Sequence, residues 1–183
     1  MADHDHDRWD RRYREIAAPR LDDVGPPAVF APHADLFPVA GRALELACGV
    51  GTAAVWLARR GLAVRAYDVS PVAIAHADEL ARRCGVAGQC VFDVADLDLG
   101  LPSGSPVDVL LCNRFRDPRL YAPMIARIAQ GGLLAISVLS EVGAQPGRFR
   151  AEAGELVRAF GAALQPIAAD ESDGEAWLLA RMR

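Results

Sequence analysis

Glu45, Gly49, Gly51 and Asp68 are the residues of this chain whose types and spacing fit a chemical task. Three of them lie in the run A-L-E-L-A-C-G-V-G-T that starts at Ala43. An apolar stretch leading into a glycine turn and then a helix is how an open α/β sheet offers backbone N–H groups to a nucleotide-like ligand. Asp68 ends a second apolar run 17 residues beyond Gly51, and a ribose-binding carboxylate is expected about 20 residues past such a turn. Glu45 sits deep in an apolar strand, where an acid is costly to bury without a partner. The spacing Gly49-x-Gly51-x-x-Ala54 taken alone also fits a dinucleotide fingerprint.

These residues need a sheet to hold them, and the pattern from residue 42 onward supplies one. Apolar strand-like runs at 42–48, 63–69, 89–94, 107–113 and 133–140 alternate with helical patterns, as a mostly parallel sheet requires. The first helix spans 52–60 and closes at Gly61. Ser70-Pro71 supplies an N-cap and a first-turn proline for a second, which ends near Cys84-Gly85. Asp117-Pro118 caps a third, with Leu120, Tyr121, Met124, Ile125 and Ile128 at helical spacing and an end at Gly131-Gly132. A loop over 141–150 and a helix near 152–160 follow. The apolar segments 164–169 and 176–182 are separated by only a short turn-rich stretch, so they form a hairpin and the last strand runs antiparallel.

Composition removes several chemistries. Every one of the 20 positions counted as Lys or Arg is arginine. With no amine side chain there is no pyridoxal Schiff base, no phosphate loop ending in Gly-Lys-Ser/Thr and no kinase lysine. The Tyr-x-x-x-Lys pair of short-chain dehydrogenases is excluded for the same reason. The net charge of −4 argues against a general nucleic-acid binder. Arg8, Arg11, Arg12 and Arg14 do cluster, but acids are interleaved with them, which reads as a solvated mixed-charge helix. Cys48, Cys84, Cys90 and Cys112 show no metal spacing and read as free buried thiols. His4 and His6 alternate with aspartates at a terminus, where a metal site is not expected, and His33 and His76 read as surface or structural residues. At 183 residues the chain fits one core with a short arm. No run approaches the ~18 apolar residues of a membrane span, and the charged start has no signal-peptide pattern, so the expected place is the cytoplasm.

The order of these motifs resembles the class I S-adenosylmethionine-dependent methyltransferases. E-L-A-C-G-V-G-T is similar to that family's acidic-x-Gly-x-Gly-x-Gly motif, with Ala47 in place of the first glycine. Within the class, the arm W-D-R-R-Y-R, the sequence C-N-R-F-R-D-P-R-L and the absence of an added domain resemble small bacterial enzymes of the tellurite-resistance and thiopurine-methyltransferase-like groups. The resemblance implies an α/β, Rossmann-like, doubly wound seven-stranded sheet of order 3-2-1-4-5-7-6 with strand seven antiparallel. It also implies a cofactor-binding domain over 36–183, preceded by a helical arm over residues 1–35 that could fold over the site as a lid or dock elsewhere.

It further implies a cofactor site of Glu45, Ala47, Cys48, Gly49, Gly51, Asp68, Val69, Asp96, Leu97 and Asn113. Glu45 would meet the cationic amino-acid part of S-adenosylmethionine, a need that a dehydrogenase lacks. Asp68 would accept from the ribose hydroxyls, Val69 would pack on the adenine, and Asp96 with the Leu97 N–H would bind the base edge, with Asp93 and Asp98 as neighbouring alternatives. Asn113-Arg114-Phe115 departs from the Asn/Asp-Pro-Pro-Tyr/Phe signature of enzymes that methylate base or glutamine amino groups. Cys112, in an apolar strand, reads as a packing residue. Trp9, Tyr13, Arg114 and Glu141 are candidates for touching the acceptor, and Arg114 and Arg116 for attracting an anion. Trp9 and Tyr13 are four apart, so on a helix they share a face.

No general base stands out, which suits a small, already anionic acceptor such as a thiol, selenium or tellurium species. No metal, nucleic-acid or membrane partner is expected; the product would be S-adenosylhomocysteine, and the protein a monomer or homodimer. A non-catalytic S-adenosylmethionine-binding protein and, more remotely, a nicotinamide-dependent oxidoreductase are the alternatives.

Overall fold

The computed structural model describes the backbone of residues 2–183 and the side chains of residues 8–183; the side chains of His4 and His6 lie outside the described residues. One seven-stranded sheet has the order β3-β2-β1-β4-β5-β7-β6, with β1 at Gly41–Leu46, β2 at Leu62–Asp68, β3 at Cys90–Val94, β4 at Val107–Asn113, β5 at Ile128–Leu139, β6 at Leu164–Ser172 and β7 at Glu175–Met182. The expected order is therefore observed. β7 is antiparallel to both β5 and β6. Among the described residues no helix is long and apolar enough to cross a membrane.

The chain divides into two compact units, Met1–Pro102 and Ser103–Arg183. In the first, β1 pairs with β2 and β2 with β3, all parallel. Helices α1 (Ala2–Glu15), α2 (Thr52–Arg59) and α3 (Pro71–Arg83) accompany them. Ser70 caps α3 as expected, its hydroxyl accepting from the Ala73 N–H at 3.2 Å. Before β1, the 28–37 region tucks two phenyl rings into the core. Phe30 meets Phe37 edge-on at 6.5 Å, and Phe37 meets Trp56 of α2 at 5.1 Å. Arg60 ties this corner down by donating to the Phe37 carbonyl at 2.6 Å. Burying such aromatic surface outweighs the irregular backbone around Pro32.

In the second unit the short helices α4 (Tyr121–Arg127) and α5 (Glu155–Phe160) join through the Tyr121–Phe160 ring contact at 4.9 Å. Two boundaries differ from expectation. Ile128 does not end a helix; it opens β5, opposite Val107, and the register then shifts so that Val109 faces Leu133. Gly131-Gly132 lie inside that irregular strand start. A Cβ on Gly132 would meet the Val107 carbonyl at 3.0 Å and the Ile128 side chain at 2.8 Å, so the glycine permits the close strand approach. The hairpin strands are also longer than expected, because only Asp173 and Gly174 turn. Their φ values of 49° and 81° are those of a tight two-residue hairpin, for which Asp-Gly is well suited.

Candidate cofactor site

The chain leaves β1 at Leu46 and reaches α2 at Thr52 through a turn with three left-handed residues, Ala47 (φ 52°), Gly49 (φ 54°) and Gly51 (φ 77°). Alanine pays a steric cost in that region. The turn therefore keeps a glycine-type backbone where the motif glycine is replaced, and such strain is typical of functional sites. Gly51 is required twice over. Beyond its φ, a Cβ there would lie 2.6 Å from the Ala77 Cβ and 3.1 Å from the Phe92 ring. Its bare backbone seats the start of α2 against α3 and β3, so its contribution to the site is through packing.

Asp68, at the end of β2, locks this turn. It is 5% exposed. One oxygen accepts from the Gly49 N–H at 2.8 Å and the other from the Ser70 N–H at 3.0 Å. Burial pushes its carboxyl pKa up, while these N–H groups pull it back. The Val69 N–H also bonds it, and an ionised carboxylate has about four acceptor sites, so capacity remains for a ligand hydroxyl. Val69, beside it, is half-exposed and available for packing.

Glu45 is 3% exposed, and its Oε2 has no hydrogen-bond partner. Its carboxyl is pushed up to about 8, first by burial and then by the nearby Asp68; the Ala54 N–H opposes both. A buried carboxylate oxygen left unpaired is expensive. The arrangement fits a cationic group brought by a ligand, which would restore the missing partner. Cys48 is buried and its thiol is held well above its usual range by the same burial and acids. It is no nucleophile, and it contributes by closing the turn, its N–H bound to the Tyr67 carbonyl at 2.9 Å.

Asp96 follows β3 and is brought toward this region because the Ala95 N–H binds the Asp68 carbonyl at 2.9 Å. One Asp96 oxygen accepts from the Asp98 N–H at 2.8 Å, capping a 3-10 turn over Leu97–Leu99, and the Leu97 side chain is buried. Asp93 instead pairs with Arg65 at 3.9 Å, and Asp98 is exposed. Asp93 lies opposite Tyr67 in the β2–β3 register, and Asp96 comes one residue after the Ala95–Asp68 backbone bond.

The arm reaches the same turn. Trp9 and Tyr13 share a face and stack at 5.9 Å. A Cβ on Gly49 would come within 2.9 Å of the Tyr13 hydroxyl, so the space freed by that glycine is taken by the phenol. Arg8, Arg11, Arg12 and Arg14 are exposed, as a solvated face requires. Asp10 corrects the solvated reading of its helix: it is 6% exposed and accepts from the Ser70 hydroxyl. A pairing across 60 residues gives no signal in local charge patterning.

In the second unit, Asn113 ends β4, and its Oδ1 accepts from the Ser137 hydroxyl at 2.7 Å. That hydroxyl also accepts from the Arg114 N–H at 3.1 Å. Arg114 has a left-handed φ of 56°. Its guanidinium is matched to Glu175 at 3.2 and 3.3 Å, and that of Arg116 to Glu155 at 2.8 and 2.7 Å. Both arginines are thus carboxylate-paired. Cys112 is buried in β4, as a packing residue should be. Glu141 is half-buried, with its N–H on the Ala151 carbonyl at 3.0 Å. Cys84 and Cys90 are only half-buried, against the expectation that all four thiols are inside. His33 and His76 are half-buried, and no group of three metal-ligating side chains occurs among the described residues.

Known proteins similar to this chain include methyltransferases. Residues 43–131 match a family model described as a methyltransferase domain. A curated relative, ribosomal RNA small subunit methyltransferase C of Alcanivorax borkumensis, is 34% identical over 88 residues, which are 48% of this chain and 26% of that protein. The chain thus spans about a quarter of that relative's length. Among solved structures, TehB from Haemophilus influenzae has a TM-score of 0.73 at 18% identity, covering 97% of this chain and 67% of that one. Geranyl diphosphate C-methyltransferase from Streptomyces coelicolor A3(2), solved with S-adenosyl-L-homocysteine, has a TM-score of 0.72 at 15% identity, covering 97% and 98%. A structure from work on the conversion of a disulfide bond into a thioacetal group during echinomycin biosynthesis has a TM-score of 0.69 at 24% identity, covering 97% and 92%.

Proposed function

We propose that this chain, a class I S-adenosylmethionine-dependent methyltransferase by its 43–131 domain and its strand order, methylates a small acceptor with a soft, anionic nucleophile. A thiolate is the representative case, with selenium and tellurium species as its analogues. The observation that carries the cofactor assignment is the orphaned Oε2 of Glu45. A nicotinamide cofactor offers that oxygen no ammonium partner, whereas S-adenosylmethionine does. The cofactor, once bound, supplies an already electrophilic methyl group.

The chain's own residues then have limited tasks. Glu45 meets the cationic amino-acid part. Asp68 uses its remaining acceptor capacity on the ribose, Val69 packs beside the adenine, and Asp96 with the Leu97 N–H reads the base edge. Ala47, Cys48, Gly49 and Gly51 shape the turn. Residues 1–35 form an arm on the 36–183 domain, with Trp9 and Tyr13 toward the cofactor turn. Catalysis in such a site is mostly positioning and exclusion of water.

Asn113 has a defined amide orientation. The Arg114 N–H occupies an acceptor site of the Ser137 hydroxyl, so that hydroxyl's hydrogen points to Asn113 Oδ1. The opposite amide orientation would leave a hydroxyl hydrogen without this acceptor in a fully buried serine. Asn113 then has its amide N–H donors to offer, while Oδ1 keeps a second lone pair.

The test is turnover of methyl-labelled S-adenosylmethionine against a panel of small thiols, selenide, amines, carboxylates and ribosomal RNA. Label in the thiol or selenide products supports the reading. Label only in amines or RNA overturns the acceptor class, and tight cofactor binding with no product from any acceptor favours a binding protein.

A further inference from the structure

Asp10 is the only carboxylate buried among the described side chains of α1, and nothing in the cofactor reading uses it. A buried acid on a short, highly charged surface helix needs a reason. Its surroundings supply one. The Ser70 hydroxyl donates to Asp10 Oδ1, and Arg14, one turn along, lies 3.5 Å from Oδ2. Ser70 is itself fully buried, and its own N–H donates to Asp68 Oδ1. Asp68 Oδ2 in turn holds the Gly49 N–H, and the Tyr13 hydroxyl stands over Gly49. The path Asp10–Ser70–Asp68–Gly49–Tyr13 leaves α1 and returns to it three residues later.

Two attachment points one helical turn apart fix both the position and the rotation of a helix. Tyr13 alone would leave α1 free to roll, because its neighbours Arg8, Arg11, Arg12 and Arg14 are exposed. With Asp10 seated on Ser70, the phenol is delivered to the turn. The phenol stays protonated, since burial and the nearby Asp68 raise its pKa. It is therefore a fixed hydrogen-bond donor.

We propose that Asp10 is a positioning residue: through Ser70 it seats α1 so that the Tyr13 hydroxyl forms a wall of the cofactor's amino-acid subsite. The inference rests on the cofactor reading above. Cofactor release then requires the Asp10–Ser70 contact to open, and cofactor occupancy and arm closure favour each other. Ser70, two residues beyond the ribose-facing Asp68, is where arm and cofactor are coupled.

Three readouts test this without relying on turnover. The first is a double-mutant cycle on S-adenosylhomocysteine affinity by calorimetry. Asp10→Ala and Tyr13→Phe should each weaken binding by about tenfold, the scale of one well-placed hydrogen bond. The double variant should be about tenfold weaker too, since Asp10 acts through Tyr13. Losses that multiply to about a hundredfold would mean independent roles and overturn the proposal. The second readout is rescue. Asp10→Asn keeps an acceptor for Ser70 and should bind nearly as the parent does, and failure of that rescue counts against the hydrogen bond.

The third readout uses trypsin, for which the exposed arginines of α1 are ready sites. Cofactor product should slow cleavage in the arm of the parent protein but not of Asp10→Ala, with thermal melts confirming that the variant is folded. Equal protection in both would overturn the coupling. If the parent protein fails to bind S-adenosylhomocysteine at all, the cofactor reading has failed; if it binds and Asp10→Ala binds equally, only the role of Asp10 has.

Discussion

Replacing Glu45 by Gln should make the protein more stable and a poorer cofactor binder. The carboxyl is pushed from 4.5 to about 8 by burial and by Asp68. A raised carboxyl pKa means that the folded state keeps a proton the unfolded chain has already lost. Stability contributed by the neutral form is complete below pH 4.5 and falls as pH rises toward 8, at about 1.4 kcal/mol per pH unit. At pH 7.5 the loss is about 4 kcal/mol relative to a carboxyl of ordinary pKa. Gln keeps an oxygen for the Ala54 N–H but places an unpartnered amide where Oε2 is orphaned, which takes back about 1–2 kcal/mol. The net gain is about 2–3 kcal/mol, or roughly 4–12 °C in melting temperature for a domain of this size.

Thermal melts followed by circular dichroism at pH 5.5 and pH 8 check this. The parent's melting temperature should fall over that interval, and the variant should escape the part due to Glu45 and lose affinity for S-adenosylmethionine by about tenfold or more. Equal melting temperatures at pH 8, with the same pH slope in both proteins, would refute the claim that burial makes Glu45 hold its proton until a cationic partner arrives.

Asp68→Ala should weaken S-adenosylmethionine binding by at least about 1.5 kcal/mol in calorimetry, because a charge-assisted hydrogen bond is lost. It should also lower stability by about 1–3 kcal/mol, since the Gly49 and Ser70 N–H groups lose their acceptor. Ala47→Gly relieves a left-handed alanine and, after the entropy of the added glycine, should raise stability by about 0.5–1 kcal/mol in urea titrations. Gly51→Ala should cost about 2–4 kcal/mol in the same titrations, as its Cβ would press on Ala77 and Phe92 and its φ is left-handed.

The strand order could be read from the chain because local signals agreed with one another there. Ser70-Pro71 announced α3, and the Asp-Gly pair required a hairpin that reverses β7. β5 was harder, since Ile128 continues the helical spacing of Tyr121 and Met124, and only its pairing with Val107 draws it into the sheet. In the site, Glu45 and Asp68 stood out as acids in apolar strands. The burial of Asp10 did not, for it depends on a serine 60 residues away in a position set by α3. The pairing of Arg114 and Arg116 with Glu175 and Glu155 was hidden in the same way, at separations of 61 and 39 residues.

The central claim is that the 46–51 turn, with Glu45 and Asp68, holds S-adenosylmethionine. Backbone amide NMR during titration with S-adenosylhomocysteine tests it most directly. Saturating shifts are expected at Gly49, Gly51, Asp68, Val69 and Leu97, with no comparable response to NADH. Unshifted amides at those positions, or a response to NADH in place of S-adenosylhomocysteine, would contradict it.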